Sequence, residues 1–438
     1  MKLKRILCVL LALALPLHAC GEEARSAGQV LKQLQSGEYE AVRRSLDDAM
    51  KAALSERDLA GLLPSLEASF GKLLDTGKET AVSSPPYTVV SLPLRYEKGQ
   101  LLFRVSWADG KIAGMHFSVT SQDKAPDESL PDGLTEEAVS VGSPALPGVL
   151  TLPQKAMGPL PAVVLLHGSG PNDRDETIGQ TKLFRDLAWG LSQKGIAVLR
   201  YDKRTLAYGK DYTKEQLAAL TVEEEAIDDA LLAAELLRAD PRIDPGRVYL
   251  LGHSLGASIA PRTARENPGV FAGLILLSGT PLTLADIVLH QNRAAAGQAA
   301  PVRRQILFLQ INGMEREWQA IRTGTAEAAK EKTFAGQPAY YFWDLARHDV
   351  GEDLAALSLP ALIINGGRDF QIPDADGIDA WRALELPDTV TVLHKPALNH
   401  LLMAPDAPET ARGTVREYDV PCHAAEDVIE DIAQFILQ

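Results

Sequence analysis

The chain is poor in cysteine, and this scarcity argues against two kinds of stabilising site. It has 3 cysteines in 438 residues, at Cys8, Cys20 and Cys422. If the first two belong to a leader and its processing site, Cys422 has no partner for an intrachain disulfide. One cysteine cannot build a metal cluster, and no two histidines have the spacing of paired metal ligands. We therefore expect no disulfide framework, no metal and no other cofactor.

Positive charge is scarce as well. The chain carries 44 lysines and arginines against 58 aspartates and glutamates, a net charge of −14, and the loss of a leader with three cations would bring it to about −17. Such an acidic body repels phosphate backbones, so nucleic acid is not an expected partner. A hydrophobic content of 46% in 438 residues is enough for two globular domains.

Residues 1–20 have the pattern of a targeting segment. A basic start is followed by an apolar run at 6–17 that is too short to span a bilayer comfortably. The run closes with Leu-His-Ala-Cys20, which resembles a bacterial lipobox, although His18 stands where a small residue is usual. The resemblance implies an exported envelope protein held at the membrane by a lipid on Cys20. The alternative is an ordinary secretory signal that is cleaved nearby.

Residues 25–120 predict a small α+β domain. Helical spacing of apolar residues runs to about Phe70, and strand patterns follow at 87–96, 101–107 and 111–119. The order resembles the cone-shaped, nuclear-transport-factor-like or cystatin-like domains that precede some exported bacterial hydrolases. We expect a spacer or a partner-binding module, with the partner unknown.

No reactive constellation occurs in this first domain. His116 alternates with apolar neighbours in a strand, which favours packing or surface exposure over a ligand role. The polar, proline-containing segment 121–138 predicts a linker.

From 139 to 438 apolar strands alternate with amphipathic helices, which predicts a mostly parallel sheet with helices on both faces. The predicted strands are 149–153, in an antiparallel edge pair that opens the sheet, and 162–166, 196–201, 248–251, 271–278, 361–365 and 389–393. Residues 283–357 break the alternation with helix-forming sequence and the aromatic run 340–343. We interpret this insertion as a helical cap whose apolar faces line an acyl pocket; the aromatic run could equally pack the cap against the body.

The sequence Gly-His-Ser254-Leu-Gly256 follows a predicted strand and precedes a predicted helix. This G-x-S-x-G pattern is typical of a nucleophile elbow, in which a sharp turn presents the serine at its apex. Glycines on either side are needed because side chains there would collide with the neighbouring strand and helix.

A carboxylate and a histidine follow in the order that such a serine requires. Asp369 comes after a strand and two glycines, and His400 lies 31 residues further on, just past the last strand. The competing residues fit less well because they lie past a proline, directly at the end of a strand or much later in the chain. They are Asp374 and Asp376 for the acid, and His394 and His423 for the base.

Together these ordered motifs resemble the α/β-hydrolase family over roughly residues 139–438. The resemblance implies that Ser254 is the nucleophile, His400 the general base and Asp369 the residue that orients His400. It also implies an oxyanion hole formed by the backbone N–H groups of Ser169 and Leu255.

Other polar residues near these motifs are expected to support the loops. His253 and His167 occupy positions used more often for packing and loop shape than for proton transfer. Asp202 and Arg204 end a strand and are expected to brace loops. The acidic and basic side chains at 173–175 could form a surface ion pair or contact a leaving group.

The sequence thus predicts an exported serine hydrolase that cleaves small-molecule carboxylic esters of short to medium acyl length. A peptidase or thioesterase of the same fold is the near alternative. A non-catalytic envelope lipoprotein that uses a hydrolase body to bind ligands is the alternative from a different class.

Overall fold

A computed structural model describes residues 26–84, 87–122, 128–156, 158–297, 301–409 and 411–438. The predicted leader and Cys20 lie outside these residues. The chain divides into two compact units, Met1–Pro126 and Asp127–Gln438. Among the described residues, no helix combines the length and apolar content needed to cross a membrane.

The first unit is α+β, as predicted. Its elements are α1 (Ala27–Gln35), α2 (Tyr39–Ser45), α3 (Asp48–Ala53), α4 (Glu56–Phe70), β1 (Leu73–Thr76), β2 (Thr80–Ser84), β3 (Tyr87–Tyr96), β4 (Gly99–Ala108) and β5 (Lys111–Gln122). The strands form an antiparallel sheet in the order β1-β3-β4-β5, with β2 also on β3. Alternate side chains such as Leu92 and Phe103 pack against the helices, and His116 pairs across the sheet with Arg104.

The second unit begins earlier than the sequence pattern indicated, and the predicted linker at 121–138 is wrong at its carboxyl end. Strand β6 (Leu134–Val141) pairs along its whole length with β7 (Leu146–Pro153). Strand β6 lies at the edge of its sheet, and its central residues are half-buried or exposed. Edge exposure explains why this segment has few apolar residues and looked like a linker.

The remaining elements of the second unit alternate as expected. In chain order they are β8 (Leu160–Leu166), β9 (Thr177–Ile178), β10 (Thr181–Lys182), α5 (Leu183–Gln193), β11 (Ala197–Tyr201), α6 (Arg204–Ala207), α7 (Lys214–Ala219), the π-helical turn Glu223–Ile227, α8 (Asp228–Ala239), β12 (Ile243–His253), α9 (Leu255–Glu266), β13 (Leu274–Leu277), α10 (Leu284–Gly297), α11 (Pro301–Arg322), α12 (Ala326–Lys330), β14 (Thr333–Phe334), β15 (Gln337–Pro338), α13 (Ala339–Leu345), α14 (Val350–Ala355), β16 (Ala361–Gly366), α15 (Ile378–Arg382), β17 (Val390–Lys395), the 3₁₀ turn Val415–Asp419 and α16 (Glu426–Leu437).

The central sheet has eight strands in the order β17-β16-β13-β12-β8-β11-β7-β6. Strand β7 runs against its two neighbours, and the other strands share one direction. Both faces are buried, which explains the continuous apolar runs: Val164 and Leu250 enter one core, while Val163 and Leu251 enter the other. The predicted mostly parallel sheet between helical layers is therefore confirmed.

The helical insertion expected at 283–357 is also present, between β13 and β16. It comprises α10 to α14 and a short β14–β15 hairpin that the sequence pattern did not indicate. Its own core is built around Trp318, which packs on Phe334 and Phe342.

The turn from β12 into α9 depends on glycine because two backbones approach each other closely. A Cβ on Gly256 would lie 2.1 Å from the carbonyl oxygen of Leu166 in β8, and a Cβ on Gly252 would lie 2.2 Å from the oxygen of Gly256. Neither obstacle is a side chain that could rotate away. The glycines therefore let α9 begin directly against the end of β8.

We predict that Gly256→Ala destabilises the protein by about 3 kcal/mol, because the new methyl group must displace strand backbone. Chemical denaturation measures the change. Gly313→Ala is the matched control: Gly313 lies inside α11 with nothing within 4 Å of its Cβ position, so alanine should stabilise the helix by roughly 0.5–1 kcal/mol. Equal stability of the two variants would contradict the close-approach argument.

Candidate active site

Ser254 occupies the apex of the turn between β12 and α9. Its backbone has φ 55° and ψ −116°, a conformation that is strained for a residue with a side chain. The strain is held by the surrounding structure, since the Ser254 N–H donates to the Leu277 carbonyl at 2.9 Å. The side chain is half-buried, and Leu255, the first residue of α9, follows directly. The first N–H groups of a helix have no acceptor within the helix, so they are available to an anion at this turn.

Asp369 and His400 meet in the loops that follow β16 and β17. Asp369 Oδ2 lies 2.6 Å from His400 Nδ1, and both residues are buried. The second oxygen of Asp369 accepts the N–H groups of Gln371 and Ile372, each at 2.8 Å. This arrangement fixes the carboxylate and places a proton on Nδ1, which leaves Nε2 as a base. The predicted acid and base are thus brought together.

The competing residues pair elsewhere. His394 Nε2 lies 3.1 Å from Asp374, His290 of the cap lies 2.9 Å from Asp376, and His423 lies 3.2 Å from Asp186. The three histidines in these pairs are partly exposed, whereas the Asp369–His400 pair is buried at the strand ends.

The loop of residues 167–176, called the β8 loop below, lies against the serine. A Cβ built on Gly168 would come within 3.2 Å of Ser254 Cβ. The Gly168 N–H is already used, because it donates to Glu176 Oε1 at 2.8 Å. The next N–H in the loop belongs to Ser169, which is exposed. Ser169 and Leu255 remain the predicted oxyanion donors.

A buried ion pair connects the β8 loop to the base of the serine turn. Glu176 Oε2 lies 3.0 Å from His253 Nδ1, and each side chain is at most 2% exposed. Burial disfavours both charges, but the partner's charge outweighs it: the pKa of His253 is raised and the pKa of Glu176 is lowered. The other nitrogen of His253 donates to the carbonyl of His400 at 2.9 Å. The side chain of His253 thus joins the β8 loop, the serine turn and the loop after β17.

His167 has a different role from His253. Burial lowers the pKa of His167 to about 4, and its ring packs on Phe184 and Tyr201. A neutral, packed imidazole agrees with the structural role expected for it.

Charged residues in and after the β8 loop form internal ion pairs, and Asp202 braces the loop directly. Asp202 forms a bidentate pair with Arg174 at 2.9 Å for each bond, and Arg204 pairs with the buried Asp229. Asp175 accepts from Arg200 Nε at 3.0 Å. The side chains of Arg174 and Asp175 are therefore held by ion pairs within the protein.

The cap is tied to the body close to the candidate site. In the aromatic run at 340–343, Phe342 packs inside the cap while the Tyr341 hydroxyl donates to Glu225 of the body at 2.6 Å. From α10, Gln291 donates to the carbonyl of Gln371, two residues after Asp369. The structure thus shows cap packing and cap-to-body contacts for the central aromatics of this run.

Several residues that shape the site were missed by sequence reasoning. All five are buried. Glu176 and Lys203 bond to Gly168 of the β8 loop, Glu225 pairs with Lys203, and Asn399, in the loop after β17, donates to Glu417. The apolar strand just before Lys203 could have indicated its burial, but nothing in the sequence indicated the partners of these residues. In the described part of the chain, no group of three or more His, Cys, Asp or Glu side chains could hold a metal ion.

The Glu176–His253 pair generates a prediction for stability against pH. The raised pKa of His253 adds to the free energy of unfolding. This contribution is complete below pH 6.5 and is lost as the pH rises through the raised pKa. The lowered pKa of Glu176 also adds to the free energy of unfolding. This contribution is complete above pH 4.5 and is lost as the pH falls through the lowered pKa. The pair therefore stabilises the fold fully between pH 4.5 and 6.5.

We predict that Glu176→Gln lowers the free energy of unfolding by about 3 kcal/mol at pH 5.5, because it leaves a buried imidazole without its counter-charge. The loss should shrink as pH rises and His253 becomes neutral. Urea denaturation across pH measures it. The control is Glu430→Gln, since Glu430 pairs with Lys194 at an exposed site and should change stability little. A loss that is independent of pH would contradict the ionic pair.

The chain is similar to known proteins over nearly its whole length. A model described as the alpha/beta hydrolase family matches residues 163–413, and a model described as a protein of unknown function matches residues 27–115. Esterase EstD of Thermotoga maritima is 32% identical over 437 residues, which cover 99% of this chain and 100% of EstD.

Solved structures also align with it. Est1E from Butyrivibrio proteoclasticus is 17% identical with a TM-score of 0.43, over 68% of this chain and 97% of Est1E. Dienelactone hydrolase from Anabaena variabilis is 18% identical with a TM-score of 0.41, over 70% and 98%. From the family match and the full-length relative, the chain belongs to the alpha/beta hydrolase family.

Proposed function

We propose that this protein is a serine esterase that cleaves carboxylic esters of short to medium acyl length through an acyl-enzyme on Ser254. The observation that carries the proposal is the buried Asp369–His400 pair with its 2.6 Å contact, located at the same sheet edge as the strained Ser254. A buried, oriented imidazole at the same sheet edge as a serine in a strand-to-helix turn suits nucleophilic acyl transfer.

The proposed reaction has two steps. In the first, His400 Nε2 accepts the Ser254 proton as Oγ attacks the ester carbonyl, and the proton then passes to the departing alcohol. In the second, His400 takes a proton from water, hydroxide attacks the acyl-serine, and the proton returns to Ser254 as the acid leaves. Asp369 holds the imidazole in the required tautomer and stabilises its charge.

The tetrahedral intermediates carry a negative oxygen that needs donors already in place. The N–H groups of Ser169 and Leu255 are the proposed donors, and the first turn of α9 adds the positive end of its helix dipole. The engagement of the Gly168 N–H by Glu176 supports Ser169 as the donor from the β8 loop.

We propose esters rather than other hydrolase substrates because of the similarity to EstD and because of the cap. EstD is named an esterase and aligns with nearly the whole of this chain. The apolar cap contacts the segment after Asp369 through Gln291, so we propose that it encloses the acyl group. We also propose, from the leader and lipobox pattern, that the mature protein is exported and anchored to the bacterial envelope by a lipid on Cys20.

We predict that Ser254→Ala lowers kcat for p-nitrophenyl butyrate by about 10⁶-fold while the melting temperature stays within a few degrees. Ser258→Ala is the matched control, since Ser258 lies one turn further along α9 and bonds to the Thr280 carbonyl; it should retain activity. Turnover by Ser254→Ala at the wild-type rate would refute the proposal.

The acyl preference is tested with a panel of p-nitrophenyl esters from acetate to palmitate, run beside aminoacyl anilides and acyl thioesters. We expect kcat/KM to be highest for an ester of acetyl to octanoyl length, because the proposed acyl site is the limited space between cap and body. A higher kcat/KM for an anilide or a thioester would instead favour the peptidase or thioesterase alternative.

A further inference from the structure

The carbonyl of Gly168 is held from one side by two donors. Lys203 Nζ donates to it at 3.0 Å and Asn172 Nδ2 at 3.2 Å. This carbonyl and the Ser169 N–H belong to the same planar trans peptide, so they point in opposite directions. A group that fixes the carbonyl therefore also fixes the direction in which the Ser169 N–H points.

Lys203 is an unusual residue to find in this position. It is 1% exposed, and its ammonium lies 3.3 Å from Glu225 Oε2. Glu225 is 6% exposed and belongs to the π-helical turn at Glu223–Ile227, an irregularity that is frequent at functional sites. Burial alone would raise the pKa of Glu225, but the charge of Lys203 and hydrogen bonds from Tyr341 and Thr205 outweigh it and lower the pKa. Glu225 is therefore a carboxylate at neutral pH.

The same carboxylate oxygen of Glu225 also accepts a hydrogen bond from the cap. The Tyr341 hydroxyl of α13 donates to Glu225 Oε2 at 2.6 Å, while Thr205 donates to Oε1 at 2.8 Å. A continuous chain of polar contacts thus runs from the cap, through Glu225 and Lys203, to the Gly168 carbonyl.

We propose that Tyr341, Glu225 and Lys203 are positioning residues through which the seating of the cap sets the direction of the Ser169 N–H and, with it, the rate of acyl transfer. This inference rests on the proposed function, because it assigns the Ser169 N–H to the oxyanion. None of the three residues touches the reacting atoms.

A role in stability alone accounts poorly for this arrangement. A buried lysine and glutamate lose their hydration, and apolar residues of similar volume often stabilise a fold as well or better. A charged donor that holds one carbonyl does offer preorganisation, because an oxyanion donor acts only when its direction is fixed before the reaction. At the cap, the hydrogen bond from Tyr341 to Glu225 links the two sites. Through it, substrate binding under the cap and alignment of the Ser169 N–H depend on each other.

The test compares Tyr341→Phe with Tyr208→Phe. The first substitution removes the cap's hydroxyl from Glu225; the second removes a hydroxyl that donates to the Ala145 carbonyl, outside the chain of contacts. For Tyr341→Phe we expect kcat for p-nitrophenyl butyrate to fall about tenfold with KM changed less than about twofold. The affinity for butylboronic acid, which forms a tetrahedral adduct with the serine, should fall by a similar factor.

A double substitution tests the coupling. Lys203→Met should lower kcat about a hundredfold, the effect of losing one oxyanion donor. Adding Tyr341→Phe to it should cost little more, because the chain of contacts is already broken. If Lys203→Met fails to fold, the two tyrosine variants still decide the question.

Two results would overturn the inference. One is a kcat for Tyr341→Phe within about twofold of that for Tyr208→Phe; the other is a fully multiplicative loss in the double variant. Activity of Ser254→Ala is measured alongside. If that variant is inactive while Tyr341→Phe matches its control, the positioning inference fails and the proposed function stands.

Discussion

The candidate site depends on one close contact between two stretches of backbone, where α9 begins against the end of β8. With a hydrogen atom as its side chain, Gly256 allows this approach; any Cβ would overlap the Leu166 carbonyl. The same approach forces the sharp turn that leaves Ser254 with a positive φ. It also brings the β8 loop within contact distance of the serine. The proposed nucleophile and the proposed oxyanion donor therefore share a single geometric origin.

Two buried ion pairs then hold the β8 loop from both sides of Gly168. Glu176, paired with His253, accepts the Gly168 N–H, and Lys203, paired with Glu225, donates to its carbonyl. Charges at such depth are costly, and the loss of one partner is strongly destabilising. Their proposed benefit is a fixed direction for the Ser169 N–H, because an oxyanion donor acts only when it is in place before the reaction. Under this proposal the same residues stabilise the fold and preorganise the donor.

Much of this architecture could be predicted from the sequence because it follows from local patterns. Apolar runs predict buried parallel strands, and polar residues just after those runs are expected at one edge of the sheet. This rule predicts that Asp369 and His400 lie close together. The first residues of strand β6, 134–138, are assigned by sequence to a linker because an edge strand needs no apolar run. Lys203 and Glu225 were missed for another reason: a buried ion pair has no period, and its partners are 22 residues apart in the sequence but adjacent in space.

The central claim is that Ser254 acts as a nucleophile activated by its surroundings. The most direct measurement is reaction of the full chain with a fluorophosphonate, followed by peptide mass mapping. We expect one adduct, on the peptide that contains Ser254, and a much slower reaction in His400→Ala. The absence of any adduct, or an adduct on a different serine, would contradict it.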